Sequence, residues 1–175
     1  MKITLTKVTY SAALSEETAA FSATVCIDGV PSFGTSNHGT GGCNDVFPLK
    51  GQTFAQAREN KENLDAYAAN LPRIFYPELP PINGVPFSMR QTAETLVGDA
   101  LQEIQRQKDA KRILAKLSKK VLKLQGGKLT ESNVAPTGKL AEWIAFFAAK
   151  YPDAVILNQC TPARAAEIIL NEVLT

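Results

Sequence analysis

The sequence predicts an α+β fold, an N-terminal antiparallel β-meander packed against about four helices. Three observations carry this. Residues 20–27 alternate apolar and polar side chains and run into Asp28-Gly29, a tight-turn dipeptide. From Thr53 onward, apolar residues recur at helical spacing behind N-cap residues. At 175 residues, with 45% apolar and 21% charged side chains, the chain is long enough to bury a core as a single domain, β-rich over 1–50 and helix-rich over 51–175.

The β-rich part reads as follows. Ile3 and Leu5 fall on one face of a first strand, Val8 and Tyr10 on the other. That phase switch predicts a bulge near Thr6-Lys7, because one extra residue inverts the side-chain parity. Ser15-Glu16-Glu17-Thr18 is a polar turn. In the second strand Phe21, Ala23, Val25 and Ile27 share one face and Ser22, Thr24 and Cys26 the other. Residues 30–35 return as a third strand, and Val46-Phe47-Pro48-Leu49 is a candidate fourth, which Pro48 confines to an edge.

Thr53 and Gln56 have capping-box spacing ahead of a helix whose stripe is Phe54, Ala57, Leu64, Ala68 and Leu71. Lys61 interrupts that stripe, so packing on one side only is expected, and Pro72 ends the helix. Residues 71–87 hold five of the ten prolines, among Ile74, Phe75, Tyr76, Leu79, Ile82 and Phe87. So apolar a stretch predicts an extended crossover packed on the body; display of aromatics to a partner, here and around Trp143, is the less favoured alternative. Ser88 with Gln91 gives a second capping-box spacing, for a long helix with Met89, Ala93, Leu96, Val97, Ala100, Leu101 and Ile104 on its packed stripe. Beyond Ile104 the stripe shifts to Ala110, Ile113, Leu114 and Leu117.

Residues 120–132 fit either a continued helix or a small hairpin turning at Gly126-Gly127. The alternation of Leu122 and Leu124 with Val121, Lys123 and Gln125, and the Gly-Gly turn signal, favour the hairpin. Thr137 is expected to open a helix with Leu140, Trp143, Ile144, Phe147 and Tyr151 on one stripe, and core packing is expected around Trp143. Residues 154–157 form a short buried strand or link. Thr161-Pro162 then opens a last helix carrying Ala165, Ala166, Ile168, Ile169 and Val173.

Two stretches could carry function. The first is the glycine-rich loop 34–45, where Ser36, Asn37, His38, Gly39, Gly41, Gly42 and Asn44 could meet a small molecule or nucleotide. Consecutive glycines can turn backbone N–H groups onto an anion. Neither a Walker pattern nor Gly-x-Gly-x-x-Gly is present, and a strand-exit turn needing positive φ accounts for the same glycines. His38, Cys43 and Asp45 are too few for a structural zinc site, so no metal is predicted. Cys43 beside His38 is not enough to name a nucleophile, and Glu16-Glu17 suits a solvated turn better than an acid/base pair. No catalytic motif and no cofactor follow.

The second stretch is basic. Net charge is only +2, yet residues 106–128 carry nine basic and one acidic side chains. Lys108, Lys111, Arg112, Lys116, Lys119, Lys120 and Lys123 could form a face for nucleic-acid backbone or an acidic protein. No aromatic residue lies between 88 and 142 to stack on bases. A solvated helix face explains the same charges. Apolar runs are too short for a membrane helix, the N-terminus lacks a signal-peptide pattern, and three widely spaced cysteines suggest reduced thiols. A cytoplasmic protein without membrane contact is expected.

Residues 21–29, then Gly34-Thr35-Ser36-Asn37, then Gly39-Thr40-Gly41-Gly42, resemble an uncharacterised family of small tailed-phage and prophage proteins. Val121 to Gly126 and Val155-Ile156-Leu157-Asn158 before an Ala-rich helix are similar to that family too. The resemblance implies a phage accessory protein with no known catalytic residues. By analogy with such genes, it implies a non-enzymatic protein of the bacterial host cytoplasm that binds and inhibits a host protein, an anti-phage defence component.

Overall fold

The computed structural model describes residues 1–134 and 138–174. The fold is α+β, and the chain forms two compact units, Met1–Gln102 and Glu103–Thr175. The expected helix start at Thr137 lies outside the described residues.

The first unit begins with the meander. Strands β1 (Ile3–Ser11), β2 (Ala20–Ile27), β3 (Val30–Asn37) and β4 (Asp45–Phe47) form one antiparallel sheet in sequence order. The bulge sits where the parity switch puts it, with a register shift between Thr6 and Thr9 and Lys7 at φ 52°. Val25 and Phe33 are fully buried. Thr24 and Cys26, on the supposed polar face of β2, are buried as well. The edge strand β4 is one residue earlier than expected and stops before Pro48, which has no N–H for the ladder.

Helix α1 (Phe54–Ala69) carries the full capping box, Gln56 N–H to Thr53 Oγ1 at 3.2 Å and Thr53 N–H to Gln56 Oε1 at 2.8 Å. It packs on β3 and β4 through Ala57, Leu64 and Ala68. Phe54 is not on that stripe. It is 73% exposed, three residues before Ala57, on a first turn that looks outward.

The largest departures lie between α1 and α2 (Ala93–Lys116). Ser88 does not cap a helix. Ser88–Met89 is strand β6, paired antiparallel with β5 (Ile74–Phe75). Met89 is therefore an exposed strand residue and not part of the stripe of α2. The true start is Thr92, whose Oγ1 accepts from Thr95 N–H (3.3 Å) while its own N–H donates to Thr95 Oγ1 (2.9 Å). Gln91 Nε2 instead donates to Pro72 O at 2.7 Å. The expected packed crossover is a hairpin arm, and most of its apolar side chains face outward. Its tip is Asn83-Gly84 with φ 51° and 78°, the same left-handed pair as Asp28-Gly29 (51°, 83°) and Gly126-Gly127 (57°, 74°). Positive φ at both central residues is the turn whose twist matches paired strands.

In the second unit, β7 (Lys120–Gln125) and β8 (Lys128–Asn133) form the hairpin at Gly126-Gly127, which excludes the continued helix. Strand β9 (Val155–Ile156) adds antiparallel to β7, giving the order β8-β7-β9. Leu122, Leu124, Leu157, Ile168 and Ile169 make a core with Ala110 and Ile113 of α2. Asn158 ties this core to the backbone. Its Oδ1 accepts from Leu122 N–H (2.9 Å), and its Nδ2 donates to Leu117 O (2.9 Å) and Lys120 O (2.8 Å). Helix α4 (Pro162–Ile168) has Thr161 as N-cap and ends in a π-helical turn, Ile169–Val173. Helix α3 (Leu140–Lys150) differs from expectation: none of its side chains is fully buried, Trp143 included.

Candidate functional site

The glycine-rich loop leaves β3 at Asn37, which is buried. Asn37 Oδ1 accepts from Thr18 Oγ1 (2.7 Å) and Gly39 N–H (2.8 Å). Its Nδ2 donates to Gly42 O (3.2 Å) and Asn44 Oδ1 (3.1 Å). Gly39 O accepts from the backbone of Glu16, Glu17 and Thr18, and Gly41 N–H donates to Thr18 Oγ1. Thus the polar turn 15–18 is the counterpart of the loop. The donors an anion would need from Gly39 and Gly41 are already engaged within the protein. Ser36 pairs with Asp45 in the sheet, and His38 stands exposed with Nε2 3.7 Å from Asp45 Oδ2.

Beyond the loop lies an open cleft of about 710 Å³, lined by Cys43, Asn44, Phe54, Arg58, Lys61 and Glu94 among others. Sequence reading missed Arg58, Lys61 and Glu94 as neighbours of Cys43. The one available signal was Lys61 breaking an apolar stripe. Lys61 Nζ contacts Asp65 Oδ2 at 2.6 Å, and that hydrogen bond raises its pKa, with the charges of Asp65, Glu94 and Cys43 adding to it and burial opposing it. Asp65 Oδ1 also accepts from Ala93 N–H (2.7 Å), placing a carboxylate at the start of α2, where the helix dipole favours it. Glu94 Oε1 accepts from Asn44 N–H at 3.1 Å. Lys61 is thus matched by Asp65, Arg58 lies 3.8 Å from Glu62, and Glu94 is held by the Asn44 backbone. Among the described residues, no three His, Cys, Asp or Glu side chains converge as a metal would need.

The basic segment is partly neutralised from outside its own sequence window. Lys116 and Lys120 both donate to Glu131 of β8, Lys120 at 2.8 Å. These two hydrogen bonds pull the Glu131 carboxyl down to about 2. Arg112 pairs with Asp109 at 3.1 Å. Lys123 Nζ sits 3.7 Å from the centre of the Tyr151 ring, a cation–π contact, and bonds Gln125 Oε1. Lys108, Lys111 and Lys119 are exposed and pair with no acid among the described residues.

The arm between β5 and β6 has the opposite character. Phe75, Ile82 and Val85 are 60–65% exposed, and Leu79 and Met89 nearly half. It is nevertheless ordered by its own bonds. Tyr76 N–H donates to Phe87 O, Ile82 and Val85 exchange both backbone bonds, and Arg73 holds Ser88 through Oγ and O. The Tyr76 and Phe87 rings meet at 5.9 Å. Comparison with protein-family models, curated proteins and solved structures finds no match. No helix among the described residues is long and apolar enough to cross a membrane. Five large apolar side chains thus stand exposed on one proline-rich arm.

Proposed function

We propose that this chain is a non-enzymatic protein-binding protein and that the arm spanning 74–89 is its contact surface. The observation that carries the reading is the exposure of Phe75, Leu79, Ile82, Val85 and Met89 on one internally bonded hairpin. Large apolar side chains held out in water cost free energy unless a partner covers them, and a preformed arm loses little conformational entropy on docking. The strand-and-glycine pattern that resembles phage accessory proteins adds a partner class, a host protein of the bacterial cytoplasm.

Affinity capture from bacterial lysate, run with and without nuclease, tests this, with the wild-type chain beside Ile82→Asp/Val85→Asp. One protein retained stoichiometrically by the wild type and lost by the variant is the expected result. Equal recovery by both chains would remove the arm from the function. Recovery of nucleic acid alone, abolished by nuclease, would move the function to Lys108, Lys111 and Lys119.

A further inference from the structure

Nine of the eleven residues of α3 are apolar, yet none is fully buried. A helix that apolar is ordinarily covered on more than one side. Its outward face has two rows at four-residue spacing. One is Ala141, Ala145 and Ala149; the other is Glu142, Phe146 and Lys150. Phe146 is 52% exposed and packs edge-on against Trp143 and Phe147, with centroids 6.1 and 5.7 Å away. A shallow apolar cleft of about 320 Å³ opens between Glu142, Trp143 and Phe146.

We propose that this face binds a second copy of the chain, with the two α3 helices antiparallel and the two-fold axis at Phe146. The charge pattern selects that occupant. Glu142 and Lys150 lie four residues on either side of Phe146, about 6 Å each way along the axis. An antiparallel copy centred on Phe146 brings each Glu142 level with Lys150 of the other copy, twice by symmetry. A parallel copy would set like charges together. Such self-complementarity is what an isologous two-fold interface requires. The alanine row permits close helix approach, and the two Phe146 rings meet across the axis. One short helix pair is a small interface, so dissociation on the order of 10 µM is expected.

Sedimentation velocity of the full chain from about 1 to 200 µM decides the matter, because that range brackets the expected dissociation constant. The expected result is a shift from monomer to dimer mass. Phe146→Glu stays monomeric throughout, with circular dichroism unchanged because the substituted side chain is exposed. Glu142→Lys and Lys150→Glu each weaken the dimer by about tenfold, since each reversal sets like charges together twice. The double variant Glu142→Lys/Lys150→Glu regains wild-type association. A wild-type chain that is monomeric at every concentration overturns the proposal, including one that captures lipid vesicles or another protein through α3. So does a dimer that survives Phe146→Glu, or one that the double reversal fails to restore.

Discussion

Gly39 is where a single methyl group would do most damage. Its φ is +92°, and a Cβ there would stand 2.0 Å from Leu14 O, a backbone atom that cannot swing aside. Gly42 has φ +87° but open space around it. Gly42→Ala should therefore cost only left-handed strain, about 1 kcal/mol. Gly39→Ala adds the collision and should cost about 3 kcal/mol or more. Urea denaturation of the two variants separates strain from collision, and equal losses would refute this account of the loop. Asn37 is the matching side-chain case. Asn37→Ala removes four hydrogen bonds at a buried position and should lower stability by about 2–4 kcal/mol. The sequence showed that the loop needed glycine. It did not show that residues 15–18 were its counterpart, because nothing local couples two turns some twenty positions apart.

Elements were legible where their signal was local. The hairpin of β7 and β8 follows from two leucines in alternation and a Gly-Gly turn, and the capping box of α1 from Thr53 and Gln56. The arm was misjudged because apolar content is a reliable sign of burial only on average. Asn83-Gly84 was the overlooked cue, since that dipeptide closes tight hairpins. At Ser88 the spacing of a capping box occurred by chance, and pairing of Ser88–Met89 with β5 overrode it. The ion pairs between α2 and β8 make a pH prediction. Glu131 titrates near 2 when folded, below its ordinary 4.5. A lowered carboxyl pKa contributes stability that is complete above the unfolded value and lost as pH falls through the folded one. Stability of the wild type should thus decline from about pH 4.5 to pH 2 by more than that of Glu131→Gln. Parallel acid titrations of both chains, followed by circular dichroism, would show it. Identical slopes would mean that Lys116 and Lys120 do not hold the carboxylate in solution.

For the whole molecule, charge is the property that the sequence overstated. Residues 106–128 read as a strongly positive segment, but a running count cannot see Glu131, which lies just beyond it and folds back onto Lys116 and Lys120. Tyr151 likewise reaches Lys123 across a separation of 28 positions, supplying an aromatic contact that the interval 88–142 lacked. Arg106 pairs with Glu103 and donates to Leu170 O. Of the nine cations, Lys108, Lys111, Lys119 and Lys128 are left exposed and without an acidic partner among the described residues. Each cation engaged by a polyanion contributes close to one unit to the slope of log K against log salt. Binding to duplex DNA or heparin should therefore be weak, with a slope no steeper than about −4. Glu131→Gln releases Lys116 and Lys120 and should steepen the slope by as much as two units, with tighter binding at low salt. Fluorescence anisotropy over a salt series measures both chains. A wild-type slope well beyond −4 would mean that the ion pairs to Glu131 open to accept phosphate, and that the basic segment, not the apolar arm, is the principal contact surface.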